Sequence, residues 1–190
     1  MWEHLSESEL LQGLDHIQKA PDDNGVLEMI VIRPKANERI VLQQSEISFK
    51  LGVHGDNWAI KCWKTLPDGS PHPEVQIAIT NSRSVALLAR DQSRWSLAGD
   101  NLYVDFNLSD ENLRAGQRIA IGTVILEITA HAHNGCKKFQ QRYGDEALKF
   151  VNSPVGKKLH LRGIYAKVVR DGAIQVGDRI TKVAQSDTES

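Results

Sequence analysis

The sequence predicts a mainly β protein: a barrel-like β domain with a few short helices and an added N-terminal helix. Many short β-branched and apolar runs are separated by turn glycines, which is typical of small barrels. Few segments carry apolar residues at helical spacing, and each of them is short. The 190 residues are enough for one sizeable domain, and 41% hydrophobic with 25% charged residues is ordinary for a globular chain.

The pattern divides the chain into three parts. Residues 1–24 form a predicted helical extension, in which Ser6 and Glu9 have the spacing of a capping box. Residues 25–184 form a predicted single barrel domain. Residues 185–190 are polar and are expected to be a flexible tail.

The strands and helices of the main domain follow from periodicity and from turn signals. Strands are predicted at residues 26–33, 39–43, 76–80, 102–106, 119–121, 124–131, 165–170, 173–175 and 179–183. The first two should form a hairpin, as should 119–121 with 124–131, and the alternation in 102–106 predicts a half-buried strand. Helices are predicted after a cap at Asn81 or Ser82 and at 136–143 and 145–151, and an exposed loop is predicted at 64–74.

Cys136 has the most informative setting in the chain. A predicted strand and an Asn134-Gly135 turn precede it, and a predicted helix follows, with Lys137 and Lys138 in its first turn. A thiol at a helix start beside two ammonium groups should favour the thiolate form, which is a metal ligand or a nucleophile. The alternative is that Cys136 is a small buried hydrophobe, which is how we interpret Cys62.

Several classes of function and location have no support in the sequence. The N-terminus lacks the pattern of a signal peptide, no apolar run is long enough to span a bilayer, and the two cysteines form no disulfide framework. These features lead us to expect a cytoplasmic protein without a membrane partner. The net charge of −1 gives no reason to expect nucleic-acid binding.

The charge is distributed unevenly. Residues 1–130 contain 12 Lys and Arg against 18 Asp and Glu, whereas residues 131–190 contain 11 against 6. The basic residues of the second part either are spread over a solvated surface or line one cleft. If they line a cleft, they would bind an anionic small molecule such as a phosphorylated cofactor.

Short motifs leave two further alternatives open. No dinucleotide fingerprint, P-loop, nucleophile elbow or CxxC pair is present. His131 and His133 are two residues apart at a predicted strand end, so with Cys136 they could form a His/His/Cys zinc site. His133 could instead serve as the base for a Cys136 nucleophile, although no orienting carboxylate is evident.

One ordered series of segments resembles a known family. The segments are 99–102, 113–116, 121–129, 133–139, 162–169 and 172–178. Together they resemble the MOSC domain, which is named after the C-terminal region of molybdenum cofactor sulfurases. The resemblance covers about residues 75–183 and identifies the chain as a stand-alone member, because 190 residues cannot also hold the pyridoxal-phosphate lyase domain of the full sulfurases. Any pyridoxal-phosphate label would therefore be inherited from the longer proteins.

The resemblance implies a MOSC β-barrel that binds a molybdopterin-type cofactor. It implies that Cys136 is the catalytic residue, which holds molybdenum through its thiolate or carries the cofactor's sulfur. Contacts to the cofactor are implied for Asn101, His133, Lys137, Lys138, Arg162 and Lys167. His133 stands where many family members have an arginine, and Lys167 replaces an arginine that is common in the family.

The implied activity is the reduction of small N-hydroxylated substrates. The sequence contains no flavin or iron–sulfur motif, so a reductase of this kind needs an electron-donor protein as its partner. A non-catalytic carrier of sulfur or molybdenum cofactor is the first alternative. The zinc site is the second.

Overall fold

A β-barrel forms the centre of the computed structural model, which describes residues 4–184. The strands are β1 (Gly25–Ile32), β2 (Ile40–Leu42), β3 (Gln44–Ser48), β4 (Gly52–Val53), β5 (Ile77–Asn81), β6 (Leu102–Asp105), β7 (Arg118–Ile121), β8 (Val124–Ile128), β9 (Ile164–Arg170), β10 (Gly172–Gln175) and β11 (Arg179–Val183). The mainly β class predicted from the sequence is confirmed. The predicted tail, 185–190, lies outside the described residues.

Seven strands close into a barrel. They pair in the order β11-β7-β8-β9-β5-β6-β1, and β1 then pairs with β11, so this part of the sheet has no free edge. Strand β2 extends the sheet beyond β1 as the predicted hairpin. The pair β5 and β6 is parallel, and the chain between them crosses the outside of the barrel through a helix.

The structure contains seven α-helices among the described residues. They are α1 (Glu7–Gln12), α2 (Leu14–Gln18), α3 (Trp58–Lys61), α4 (Ser82–Ala89), α5 (Lys137–Tyr143), α6 (Asp145–Asn152) and α7 (Pro154–Lys158), with 3-10 turns at Pro73–Val75 and Gln92–Ala98. Ser6 and Glu9 form the predicted capping box, and Asn81 caps α4 through its side chain. The predicted N-terminal helix is divided at Gly13, which packs closely against Leu87.

Two apolar cores explain this architecture. The barrel interior is filled by aliphatic side chains such as Leu27, Ile79 and Leu126. A second core lies between the barrel wall and the helices, and it includes Leu10 and Tyr103. Strand β6 faces both cores and is buried on both sides, so the prediction that residues 102–106 are half-buried was wrong.

The sequence pattern missed a small second sheet and overextended one strand. Strands β10, β3 and β4 form the second sheet, of which β3 and β4 were not predicted. Strand β8 ends at Ile128, and the following Thr129 bonds to Tyr165 and Glu74 through its backbone and hydroxyl. Residues 129–136 therefore form an irregular segment that leads to α5. No helix in residues 4–184 is both long enough and apolar enough to cross a membrane.

Candidate functional site

The irregular segment before α5 forms one wall of a cleft, which we call the Cys136 cleft. The cleft has a volume of about 650 Å³, and its charged or reactive lining residues are Arg33, Arg39, His131, His133, Cys136, Lys137, Lys138, Arg142 and Arg162. Cys136 itself is exposed. The structure thus brings Cys136, His133, Lys137, Lys138 and Arg162 together in the lining of one cleft.

The thiol of Cys136 is free for other chemistry because the residue caps α5 with its backbone only. Cys136 is the N-cap residue in extended conformation, its side chain makes no capping hydrogen bond, and its carbonyl accepts from the backbone N–H of Gln140 at 3.0 Å. The preceding Gly135 is held by Asn152, whose amide accepts from its N–H and donates to its carbonyl, at 3.0 and 3.3 Å. The loop position of Cys136 is therefore fixed from α6.

Two Gly-Asp pairs fix two arginines of the cleft. Gly99 has φ +91°, and the following Asp100 is fully buried and binds both Nη1 of Arg162 (2.7 Å to Oδ2) and Nε2 of His133 (2.8 Å). Burial alone would raise the pKa of Asp100, but the guanidinium and the ring outweigh it and hold that pKa at about 2. Asp100 therefore stays ionised and keeps both side chains in position.

The second pair, Gly55 and Asp56, does the same for Arg33. Gly55 has φ +86°, and both carboxylate oxygens of Asp56 accept from the Arg33 guanidinium, at 2.9 and 3.0 Å. Arg33 also donates to the carbonyl of Gly99 at 2.9 Å, which links the two Gly-Asp pairs. A bidentate carboxylate pair fixes the plane of a guanidinium, so Arg33 presents a constant charge to the cleft.

His133 is a neutral, oriented imidazole. Burial lowers its pKa to about 4, with a further contribution from the charge of Arg162, and the ring stacks on Tyr165 with centroids 4.3 Å apart. Asp100 accepts at Nε2, so that nitrogen carries the proton, and Nδ1 is left as an acceptor. Asp100 is the orienting carboxylate that was not evident from the sequence, where Gly99-Asp100 reads as a simple turn.

Two further arginines meet above Gly99. A Cβ added at Gly99 would lie 3.7 Å from Nη1 of Arg142 and 3.7 Å from Nη2 of Arg39, so both guanidinium groups border the same small space. Burial lowers the pKa of Arg39, and the charges of Arg142 and Arg33 lower it further. Like charges crowded in this way favour a bound anion.

The polar atoms of the cleft have unmet hydrogen-bonding capacity. In the part of the chain that the structure describes, no aspartate or glutamate lines the cleft. Among the described residues, three buried side-chain atoms have no hydrogen-bond partner: Nε of Arg39, Nε of Arg162 and Nδ1 of His133. All three belong to residues that line the cleft. Buried polar groups are normally paired, so this concentration at one cleft points to a bound polar group.

Two residues implied by the resemblance do not line the cleft. Asn101 is fully buried, and its amide binds Arg33, the backbone N–H of Ala78, the carbonyl of Val31 and Asp56. It can affect a ligand only through Arg33 and Asp56. Lys167 forms an ion pair with Glu127 at 2.9 Å on the outside of the barrel and is absent from the cleft lining.

The zinc alternative gains no support. Among residues 4–184, no group of three or more His, Cys, Asp or Glu side chains is arranged to hold a metal ion. His133 is engaged by Asp100, while Nδ1 of His131 faces the ammonium group of Lys64 at 3.0 Å. The ring of His131 does contact Tyr165, as that of His133 does, but the nitrogens do not converge with the thiol on one point.

Comparisons of the sequence and the fold with known proteins identify the family. The sequence matches the family model of the MOSC domain over residues 53–181. A comparison with curated proteins gives no match. Among solved structures, the YuaD protein from Bacillus subtilis is similar, with 17% identity, a TM-score of 0.62, and coverage of 85% of this chain and 97% of that one.

Two further solved structures are similar. YiiM from Escherichia coli has 17% identity and a TM-score of 0.54, over 84% of this chain and 70% of that one. YiiM from Geobacillus stearothermophilus has 14% identity and a TM-score of 0.54, over 87% and 75%. Identities this low speak for the fold alone, but the family model covers more than half of the sequence. The chain therefore belongs to the MOSC domain family.

Proposed function

We propose that the Cys136 cleft binds a molybdopterin-type cofactor and that the thiolate of Cys136 is its molybdenum ligand. The observation that carries the proposal is an exposed thiol on the wall of a cleft that contains several cations and, among the described residues, no carboxylate in its lining. A soft thiolate suits molybdenum, and the cations suit the phosphate of the pterin.

The chemistry of the donor set fits such a group. Arginine guanidinium groups bind phosphate through paired N–H donors, and Arg39 and Arg162 each have a buried Nε without a partner. Lys137 and Lys138, in the first turn of the helix after Cys136, add charge without occupying the thiol. Gly99 leaves space between Arg39 and Arg142 that a side chain would fill.

The residues of the cleft have definable roles when the cofactor is bound. Cys136 would hold the metal, Arg162 and Arg39 would bind anionic oxygens, and His133 would accept one hydrogen bond at Nδ1. Asp100 is a positioning residue, because it fixes His133 and Arg162 and does not itself line the cleft. The bound cofactor would supply two-electron redox chemistry. Reduction of an N-hydroxylated substrate to the amine and water consumes two electrons and two protons. An electron-donor protein would provide the electrons.

The test is molybdenum and pterin content of purified protein from a host with intact cofactor synthesis. Cys136→Ser changes little in volume but replaces the thiolate with a hydroxyl, so it should fold with an unchanged unfolding midpoint and lose molybdenum. Cys62→Ser is the matched control and should retain it. A Cys136→Ser protein that keeps its molybdenum would refute the proposal.

A carrier function is the second candidate, because an exposed thiol is accessible to another protein as well as to a small substrate. Loaded protein assayed with a chemical electron donor and a hydroxylamine separates the two. Turnover supports the reductase. Transfer of cofactor or sulfur to an acceptor protein, without turnover, supports the carrier.

A further inference from the structure

A second pocket adjoins the Cys136 cleft, and we call it the Trp63 pocket. The two share Arg33, Arg39, Trp63, Lys138 and Tyr165 as a common wall. Beyond this wall the Trp63 pocket has its own lining, which includes Lys35, Trp58, Lys61, Cys62 and Val75, and a volume of about 430 Å³. A molecule in the Trp63 pocket would therefore lie next to whatever occupies the cleft.

The lysines of this pocket carry positive charge without a carboxylate partner. No aspartate or glutamate of the described residues lines it. Among those residues, the ammonium groups of Lys35, Lys61 and Lys138 form no salt bridge, in contrast to Lys149, Lys158 and Lys167 elsewhere on the surface. Cations that converge on a concave site without counterions raise the local concentration of anions.

The aromatic part of the lining suggests the shape of the anion. Trp58 is only 7% exposed, and its indole N–H donates to the carbonyl of His72 at 3.3 Å, so its ring is held in place. Trp63 is 68% exposed although it is a large apolar side chain, and its ring lies 5.7 Å from that of His131. An exposed tryptophan at the edge of a pocket offers a flat face on which a planar ligand can stack.

We propose that the Trp63 pocket binds a flat aromatic carboxylate, and that an N-hydroxylated member of this class is the substrate presented to the Cys136 cleft. The second half of this statement rests on the proposed function, whereas the binding itself does not. The carboxylate would be held by the ammonium groups of Lys35 and Lys61 and the ring by Trp63. A pocket of about 430 Å³ is within the range of small-molecule sites and has room for one or two fused rings.

Binding is best measured on protein without cofactor, with 2-naphthoate as the probe, by calorimetry at low ionic strength. Two analogues of similar size separate charge from shape: 2-naphthamide keeps the flat ring system without the charge, and decahydro-2-naphthoate keeps the charge on a saturated, non-planar ring system. Each should bind at least ten-fold more weakly than 2-naphthoate. Equal affinity for 2-naphthoate and 2-naphthamide, or no binding of 2-naphthoate, would overturn the proposal.

Variants then locate the site. Lys61→Gln and Trp63→Ala should each weaken 2-naphthoate at least ten-fold, while Lys158→Gln, whose ammonium group pairs with Glu111 outside both pockets, should bind like the wild type. The midpoint of thermal unfolding, measured for every variant, identifies any that is misfolded. For a misfolded variant, Lys35→Gln replaces Lys61→Gln and Trp63→Leu, which has no flat face, replaces Trp63→Ala. Wild-type affinity in both folded variants would place the probe elsewhere and contradict the proposal.

The two proposals fail separately. Cys136→Ser should lose molybdenum and still bind 2-naphthoate with wild-type affinity, whereas Lys61→Gln should lose the probe and keep its molybdenum. Loss of probe binding in Lys61→Gln together with unchanged molybdenum in Cys136→Ser would support the pocket and refute the cofactor assignment. The reverse pattern would refute the pocket alone.

Discussion

At the scale of single residues, Asp100 joins two side chains of the Cys136 cleft. It is fully buried, its pKa is held at about 2, and it accepts hydrogen bonds from both His133 and Arg162. His133 is nevertheless neutral at ordinary pH, because burial and the charge of Arg162 outweigh the effect of this carboxylate and lower the pKa of the ring to about 4. A neutral imidazole and an ionised carboxylate in one buried cluster make the folded protein sensitive to acid.

We predict that His133 destabilises the folded state as the pH falls from 6.5 towards 4. The unfolded chain, with a histidine pKa of 6.5, takes up a proton before the folded chain does, so stability is lost over this interval. Between pH 7 and pH 5 the loss from this residue should be about 2 kcal/mol. His133→Gln does not titrate, so its free energy of unfolding, measured by urea denaturation, should fall by about 2 kcal/mol less over this interval than that of the wild type. The same pH dependence in both proteins would show that folding does not lower the pKa of His133.

Asp100 adds a second loss at lower pH. Its folded-state pKa of about 2 lies below the ordinary 3.8, so its contribution is complete above pH 3.8 and disappears as the pH falls to about 2. As the pH falls, the stability contributed by His133 is therefore lost first and that contributed by Asp100 second. His131, whose pKa burial and Lys64 also lower, acts in the same direction as His133.

Asn152 should control the position of Cys136. Asn152→Ala removes both hydrogen bonds to the backbone of Gly135, at a cost of about 1–2 kcal/mol, and should speed amide hydrogen exchange at Gly135. It should also change the rate at which Cys136 reacts with a thiol reagent. Asn152→Asp retains the acceptor for the Gly135 N–H and should have the smaller effect. Exchange at Gly135 that is equal in all three proteins would mean that the loop is held by other contacts.

At the scale of elements, helices α1 and α2 form part of the second core. Leu10 of α1 is fully buried in the cluster that also contains Phe139 and Tyr143 of α5, the helix that follows Cys136. The N-terminal extension, which the sequence presents as an addition to the barrel, therefore packs on the same core as the helix that carries the site.

A matched pair of substitutions on α1 tests this contact. Leu10→Ala should lower the free energy of unfolding by about 2–5 kcal/mol, because it leaves a cavity in a packed core. Leu11→Ala should change it by no more than about 0.5 kcal/mol, because Leu11 is 48% exposed. Urea denaturation measures both. Similar small losses in the two variants would show that α1 contributes little to the core.

At the scale of the whole molecule, the strands of the barrel could be predicted but the second sheet could not. Strands with clear apolar runs, such as β1, β5 and β9, lie where the sequence predicted them. Strand β3, Gln44–Ser48, is mostly polar and carries little of the alternation on which strand prediction depends. Its pairing with β10 joins residues more than 120 positions apart, which local patterns do not reveal.

The candidate site was predictable only in part for the same reason. Cys136, Lys137 and Lys138 are contiguous, so their junction with α5 could be recognised locally. Arg33 and Arg39 belong to residues 1–130, which have an excess of acidic residues, and the fold brings them to the cleft beside Arg142 and Arg162. The uneven charge along the sequence therefore reveals only some of the cations in the cleft, because the cleft draws them from both parts of the chain.

This convergence of cations predicts that anions stabilise the whole protein. Inorganic pyrophosphate at 100 times its dissociation constant should raise the free energy of unfolding by about 2.7 kcal/mol if it binds only the folded state. Arg39→Gln should lose most of this gain, because Arg39 borders the space above Gly99 and has a buried Nε without a partner.

Without added anion, Arg39→Gln should be no less stable than the wild type, because it relieves the crowding of Arg39 against Arg142 and Arg33. Lys149→Gln is the control, since its ammonium group pairs with Glu146 on the outer surface of α6 and should leave the pyrophosphate gain unchanged. Thermal unfolding in low salt, with and without pyrophosphate, measures all three proteins. If Arg39→Gln shows the full gain in stability with pyrophosphate, the anion binds elsewhere. A ligand-binding site predicts the opposite result: the variant loses the gain but is as stable as the wild type without the anion. The reason is that the charges of such a site repel one another until the ligand is bound.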